Sequence, residues 1–256
     1  AITRLRDFFR GKGFIEVPVQ HRLSILAACE DPFNVASFIY AGNVWPLPQT
    51  GQMWLEHELL KKPDHKGLYC ITTSYRQEAD PVPGRHDLIF PMFEFETHGD
   101  LAALRSLEGE LVEYLGFGDH ASFKDLDYVD TAKHYGIQTI EAEHETKILD
   151  EFGHVCFLSY FPEYTSPFWN MKRMGDKAKK IDVLLYGMET IGSAERSTDP
   201  KEMKSRFLAI SNGGYAKMLY SKFTKDRVEK ELDHFLSLNF FPRSGGGIGI
   251  TRMIRA

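Results

Sequence analysis

The 256-residue sequence is short of cysteine: three are scattered at Cys29, Cys70 and Cys156. No CxxC spacing occurs, so neither a disulfide framework nor a thiolate zinc site is indicated, and a reducing, cytoplasmic setting is expected. No apolar run approaches a membrane span or reads as a signal peptide. An excess of positive charge is lacking too, with 31 Lys and Arg against 36 Asp and Glu and a net charge of -5. Proteins that grip nucleic acid by broad electrostatics are usually basic, so only a local basic patch remains open. Repeats, low-complexity tracts, a Walker A loop, a GxGxxG fingerprint and an evident nucleophile or triad are all missing.

What is present suits one large core: 43% of residues are hydrophobic and 26% charged. Ile2, Leu5, Phe8 and Phe9 have helical spacing, and Gly11 and Gly13 stop that helix. Phe14–Val19 reads as an edge strand and Gly51–Leu60 as a helix ended before Pro63. Gly67–Glu78 and Leu88–His98 read as paired strands around a polar loop, Ala79–Asp87. A helix follows over Asp100–Leu115, then a helical insertion at about 119–151. Strands are expected at Val155–Phe161 and from Asp182, helices over Glu202–Asn212 and Thr224–Leu238, and a glycine break at Gly245–Gly249. Hairpins with helices between them, without regular βαβ units, predict α+β architecture around an antiparallel sheet.

The central hairpin carries the chemistry. Alternate strand residues share a face. Thr72, Ser74, Arg76 and Glu78 therefore join Phe90, Met92, Glu94 and Glu96 on one side, while Tyr69, Ile71, Phe93 and Phe95 form an apolar other side. The polar side reads as a solvated face or as a cleft floor. In a cleft, Arg76 offers forked donors to a phosphate, Phe90 a flat surface for a base, and Glu94 an acceptor for an ammonium. Downstream, Asp182 and Glu189 lie seven residues apart, so a turn or bulge at Gly187 must bring them to one side. Two carboxylates beside phosphates suit Mg²⁺, which takes few protein ligands. The run Gly245–Gly249 precedes Arg252, and glycines let a backbone approach a ligand closely.

In this order the pieces resemble the three motifs of class II aminoacyl-tRNA synthetases, closest to the aspartyl/asparaginyl/lysyl branch. The first is similar to Gly13-Phe14-Ile15-Glu16-Val17-Pro18. The second is similar to Tyr75-Arg76-Gln77-Glu78 with Arg85-His86, Phe90 and Glu94-Phe95-Glu96. The third is similar to Gly247-Ile248-Gly249-Ile250-Thr251-Arg252. The resemblance spans nearly the whole chain. It implies a class II synthetase-like catalytic core over residues 1–256, an antiparallel sheet flanked by helices, and ATP with Mg²⁺ as cofactors. Arg76 would hold the α-phosphate, Arg252 the γ-phosphate, and Phe90 the adenine. Glu78, Arg85 and His86 would contact the nucleotide, and Asp182 and Glu189 the magnesium, Glu189 thereby also serving ATP. A homodimer through the first motif is implied as well.

The substrate helix also has a counterpart in this resemblance. Gln49-Thr50-Gly51-Gln52 resembles the family's amine-holding segment, with Gln52, Glu94 and Glu30 as substrate contacts. Leu55 stands where aspartyl enzymes carry a lysine that pairs with the substrate carboxylate. Arg196 matches the arginine that meets the side-chain amide oxygen or carboxylate, which implies asparagine, then aspartate. Three departures stand out. Ser193 replaces a glycine, with a narrowed pocket expected; Ile89 replaces a glutamate before Phe90, and Thr251 an acidic residue before Arg252. No stretch reads as an anticodon-binding domain, and tRNA stays an open partner. Three activities are carried forward: a tRNA ligase core, an ammonia-dependent asparagine synthetase acting on aspartate, and a non-catalytic paralogue that binds nucleotide or amino acid.

Overall fold

A computed structural model describes residues 1–20, 35–78, 81 and 87–256. Among these, the strands are β1 (Ile15–Glu16), β2 (Ser37–Tyr40), β3 (Asn43–Pro46), β4 (Gly67–Tyr75), β5 (Ile89–His98), β6 (Lys124–Asp127), β7 (Val155–Pro162), β8 (Arg173–Met174), β9 (Lys177–Leu185), β10 (Met188–Glu195) and β11 (Arg243–Gly249). The main sheet runs β1-β4-β5-β11-β10-β9-β7-β6, with β8 on β9, while β2 and β3 form a separate hairpin. The sheet is antiparallel through its middle and parallel at both edges, where β1 joins β4 and β6 joins β7.

The α-helices are α1 (Ile2–Gly11), α2 (Gln52–Lys61), α3 (Leu101–Leu115), α4 (Tyr128–His134), α5 (Ala142–Phe152), α6 (Pro200–Ala209), α7 (Gly214–Phe223), α8 (Lys225–Leu236) and α9 (Ile250–Arg255). Local chemistry sets their ends. Asp100 caps α3 by accepting from the Ala103 N–H at 3.0 Å, and Gly116 stops it at φ 95°. Asp199 accepts from Lys201 and Glu202 at the start of α6, with Pro200 in the first turn.

One face of the sheet is closed by apolar packing. Tyr69, Phe93, Phe95, Val183, Ile191 and Ile248 meet Leu5, Phe8 and Phe9 of α1, Leu104, Leu111 and Val112 of α3, and Ile250 and Met253 of α9. This is the apolar side that the alternation in the hairpin requires. On the other face, α2 and the cluster α6–α8 bury Trp54, Trp169, Phe207, Tyr215 and Phe235 at one end and leave the middle of the sheet uncovered.

Several elements differ from the sequence reading. The region at about 119–151 holds α4 and α5 but also β6, so it extends the main sheet. β9 starts at Lys177, ahead of Asp182, and β10 and α7 were not foreseen. The glycine run is no break. It is β11, a central strand hydrogen-bonded to β5 and β10 over its length. Two of its glycines have no room for a side chain: a methyl on Gly245 would lie 2.3 Å from the Phe95 carbonyl oxygen, and one on Gly246 2.5 Å from Ser193 Cβ.

Candidate active site

The register of β4 and β5 places Cys70 opposite Glu94, Thr72 opposite Met92, and Ser74 opposite Phe90. The uncovered middle of that face holds two abutting cavities of about 280 and 250 Å³. Both are lined by Arg76, Glu78, Met92, Glu189, Gly192 and Gly247. The first continues to Gln52, Glu94 and Arg196, and the second to Phe90, Thr251 and Arg252. A cleft is therefore present where the alternation left either a cleft or a solvated face.

Three groups shape the first cavity. Glu94 is buried and accepts from the Gly51 N–H at 2.8 Å, from Thr72 Oγ1 at 2.7 Å and from the Thr50 hydroxyl. Burial pushes its carboxyl above the usual range against the pull of these donors. A nearby ammonium would favour its charged form. Gln52 donates through Nε2 to the Phe95 carbonyl at 2.8 Å and to Glu96. Both amide hydrogens are then used, and the amide oxygen remains as an acceptor. Gly51 matters for packing, since a methyl there would lie 2.8 Å from Thr72 Cγ2 and 3.0 Å from Glu94 Oε2.

Arg196 is buried and donates to both Glu96 oxygens at 3.3 Å and to the Gly245 carbonyl at 3.0 Å. Its Nε lies 3.6 Å from Glu56 Oε1. Glu56, wholly buried, is gripped by Arg243 at 2.7 and 3.1 Å and also accepts from Asn170. Burial raises Glu96 to about 7, with Arg196 pulling it down and Glu56 pushing it up. Arg196 was foreseen in the sequence, whereas its partners Glu56 and Arg243 were not assigned a role. Arg243 lies 187 residues from Glu56, beyond the reach of any local pattern.

At the other end, the Arg76 guanidinium lies 5.3 Å from the centre of the Phe90 ring. Arg252 donates to the Glu189 carbonyl at 2.9 Å and approaches its carboxylate at 3.7 Å. Tyr186 and Gly187, both at positive φ, close β9 onto β10 in a two-residue turn, and the register shifts between Glu189 and Ile191. These are the turn and bulge that the odd spacing required. A methyl placed on Gly192 would lie 3.2 Å from Glu189 Oε1 and 3.6 Å from Asp182 Oδ1, so both carboxylates overhang one glycine. That donor set fits a hard divalent cation that fills its shell with waters and phosphate oxygens. Among the described residues there is no group of three or more His, Cys, Asp and Glu arranged to hold a metal.

Lys180, not foreseen, also lines the first cavity, and its ammonium donates to Asp182 Oδ2 at 3.1 Å. It stands two residues before Asp182 on β9, and the same alternation that exposed the hairpin would have found it had the strand been started earlier. Ser193 lines the first cavity, although its hydroxyl does not point into it. It alternates with Gly192 onto the opposite face, where Oγ donates to the Ile181 carbonyl at 3.2 Å. Ile89 is exposed and Thr251 lines the second cavity. Glu30, Arg85 and His86 lie outside the described residues.

A mostly antiparallel sheet with a glycine strand at its centre, helices packed on one side and a polar cleft on the other, is the architecture of a class II synthetase core. The sequence profile described as tRNA synthetases class II (D, K and N) matches residues 1–256, and the chain belongs to that family, whose members are ligases. Among solved structures, the chain is similar to asparaginyl-tRNA synthetase from Pyrococcus horikoshii complexed with asparaginyl-adenylate, with a TM-score of 0.79 and 22% identity over 99% of this chain and 62% of that one. It is similar to the Entamoeba histolytica asparaginyl-tRNA synthetase in complex with asparaginyl-adenylate, at 0.75 and 20% over 99% and 61%. It is also similar to the aspartyl enzyme of Entamoeba histolytica, at 0.72 and 16% over 98% and 52%. The chain thus spans less than two thirds of these proteins. Identities this low speak for the fold alone. No curated protein matches the chain, and no helix among the described residues is long and apolar enough to cross a membrane.

Proposed function

We propose that the protein activates aspartate or asparagine with ATP, forming an aminoacyl adenylate and releasing pyrophosphate. One observation carries this reading: two cavities, one with acceptors for an ammonium and one with cations and an aromatic ring, meet at Arg76, Glu189 and Gly192. The amino acid lies in the first, with its ammonium at Glu94 and the Gln52 amide oxygen and its side chain toward Arg196. ATP lies in the second, with adenine on Phe90, the α-phosphate at Arg76 and the γ-phosphate at Arg252. Glu78, Arg85 and His86 complete the nucleotide contacts, and Glu30 the substrate loop. A carboxylate oxygen of the amino acid attacks the α-phosphorus while the bond to pyrophosphate breaks. No protein nucleophile takes part, and catalysis is positioning plus charge neutralisation. Asp182 and Glu189 would hold Mg²⁺, which would supply positive charge to offset that of the phosphates. The reading extends to a homodimer through α1 and β1, supported by the edge position of β1, with Ile15 43% exposed; sedimentation velocity tests it.

The test is exchange of pyrophosphate into ATP with each amino acid in turn, then product analysis with tRNA or with ammonia. Exchange that leads to charged tRNA supports ligation to tRNA. Turnover of aspartate and ammonia to asparagine, AMP and pyrophosphate supports the second reading, in which ammonia displaces AMP from the adenylate. Arg76→Ala should lower exchange by roughly a thousandfold, the scale of losing a preorganised donor at a charged transition state. Near-normal exchange by a folded Arg76→Ala protein would refute its role, and wild-type binding of ATP without any exchange would leave the non-catalytic paralogue.

A further inference from the structure

We infer that Asn170 reads the side-chain carboxamide of the substrate and makes asparagine the preferred amino acid, an inference that rests on the activation reading above. Asn170 is buried and lines the amino-acid cavity together with Gln52, Glu94 and Arg196. Its backbone is fixed beside Arg196. The Ser197 N–H donates to the Asn170 carbonyl at 2.7 Å, and Met171 forms a β-bridge with Arg196. Its side-chain nitrogen is fixed too. Nδ2 donates to Glu56 Oε1 and to Met53 Sδ at 3.3 Å, which uses both amide hydrogens. A flipped amide would turn its oxygen onto the Glu56 carboxyl.

The oxygen is what remains. Asn170 Oδ1 is buried and has no hydrogen-bond partner among the described residues. A buried acceptor left unpaired is costly, and holding Glu56 requires only the nitrogen. An acceptor kept for a hydrogen of the ligand accounts for it. The Glu56 oxygen that Asn170 holds lies 3.6 Å from Arg196 Nε, so amide and guanidinium converge on one point of the cavity wall. A substrate side chain directed toward Arg196 thus ends beside Asn170. The carboxamide of asparagine brings N–H donors to Oδ1. The carboxylate of aspartate brings only lone pairs, which leave Oδ1 unpaired and repelled. Two cations of the cavity already face acids, Arg196 meeting Glu96 at 3.3 Å and Lys180 meeting Asp182 at 3.1 Å.

The experiment compares kcat/KM for pyrophosphate exchange with asparagine, aspartate and aspartate β-methyl ester, with circular dichroism as a check of folding. The ester is neutral and keeps the side-chain carbonyl but has no hydrogen to donate. Wild type should prefer asparagine to both. Asn170→Leu should lower the asparagine-to-ester ratio by roughly tenfold, the scale of one hydrogen bond to a buried acceptor. Asn170→Ala gives the same readout where the leucine variant fails to fold. Asn170→Asp keeps an acceptor but gives up the donor to Glu56, and should retain more of the ratio than Asn170→Leu. An unchanged ratio in folded Asn170→Leu or Asn170→Ala overturns the inference even if all rates fall together, because a residue that only shapes the cavity depresses each substrate alike. An equal loss of the ratio in Asn170→Asp and Asn170→Leu overturns it too, since discrimination would then run through Glu56. A wild-type preference for aspartate or for the ester overturns it while leaving amino-acid activation intact. Wild-type exchange with none of the three overturns the activation reading itself, and the assignment of Asn170 falls with it.

Discussion

On the cleft face of the sheet, the buried glutamates Glu56 and Glu96 meet the buried arginines Arg243 and Arg196. On the helix face, Glu108 of α3 is equally buried but forms no ion pair among the described residues, with only the Ser193 hydroxyl and the Arg105 charge to support it. Burial pushes Glu108 up to about 8, against a weaker pull from Ser193 and Arg105. Glu195, at the rim of that face, takes a third course. Burial pushes its carboxyl up, but Lys172 at 2.7 Å and Lys179 at 2.9 Å more than offset this, so it ends below the usual range. β10 serves both faces, with Ser193 turned toward Glu108 and Arg196, just past its end, in the cleft. In the cleft each of the buried acids Glu56 and Glu96 is given a buried arginine, and Arg196 pulls Glu96 down although burial still raises it to about 7. Where only packing is at stake, the carboxyl avoids the cost of a buried charge by staying protonated.

The strongest way to break the contrast is Arg243→Met. It leaves the buried Glu56 carboxyl with only Asn170 and the more distant Arg196 for company. A loss of about 5 kcal/mol is expected, the upper part of the range for opening a buried ion pair, and urea denaturation measures it. If the folded variant loses less than about 1 kcal/mol, the pair is not holding the floor of the cleft.

Glu108→Gln sharpens the contrast from the other side. The folded pKa of about 8 lies above the ordinary value of 4.5, so the unfolded chain releases this proton first as pH rises. The stabilisation is therefore complete below about pH 4.5 and is lost progressively up to about pH 8, by then on the order of 4 kcal/mol. A glutamine has no proton to release. Melting temperatures from pH 5 to 9 should fall less steeply for Glu108→Gln than for wild type, with the two curves converging at the acidic end. Parallel curves would mean that Glu108 is charged in the folded protein.

Much of the cleft was legible because strands obey a period of two. Tyr69, Ile71, Phe93 and Phe95 face the helices and Thr72, Glu94 and Arg76 face the cleft, as alternation alone requires. The spacing of Asp182 and Glu189 likewise demanded the turn that Tyr186 and Gly187 make. What escaped did so for physical reasons. Four of the seven residues of β11 are glycine, so it has no alternating pattern to read. The polar opening of β9, Lys177-Ala178-Lys179-Lys180, hid both the start of the strand and Lys180. β10 interrupts its own alternation with a bulge. Ser193 does line the first cavity, but which way its hydroxyl points could not be known without the parity of β10. Arg243 acts across 187 residues, a contact that only the folded sheet creates.

The smallest effect concerns the glycines that let the two faces share one strand. In β11, Gly245 and Gly247 both point toward the cleft, but they meet different neighbours. A methyl on Gly245 would lie 2.1 Å from Glu96 Oε2 and 2.3 Å from the Phe95 carbonyl oxygen. The carbonyl belongs to the adjoining strand and cannot yield without moving β5. A methyl on Gly247 would first meet Met92 Cε at 2.6 Å, the far end of a flexible side chain, with Glu94 Cγ next at 3.5 Å. Gly245→Ala should therefore cost about 1–3 kcal/mol as overpacking and disturb the Glu96–Arg196 pair, which raises KM for the amino acid. Gly247→Ala should cost less than about 1 kcal/mol, because methionine re-packs readily, while intruding where the two cavities meet. Measured together, the two variants separate the strand's part in holding the sheet from its part in shaping the cleft. Equal losses of stability would show that backbone crowding along β11, and not the neighbour each glycine faces, sets the requirement for glycine.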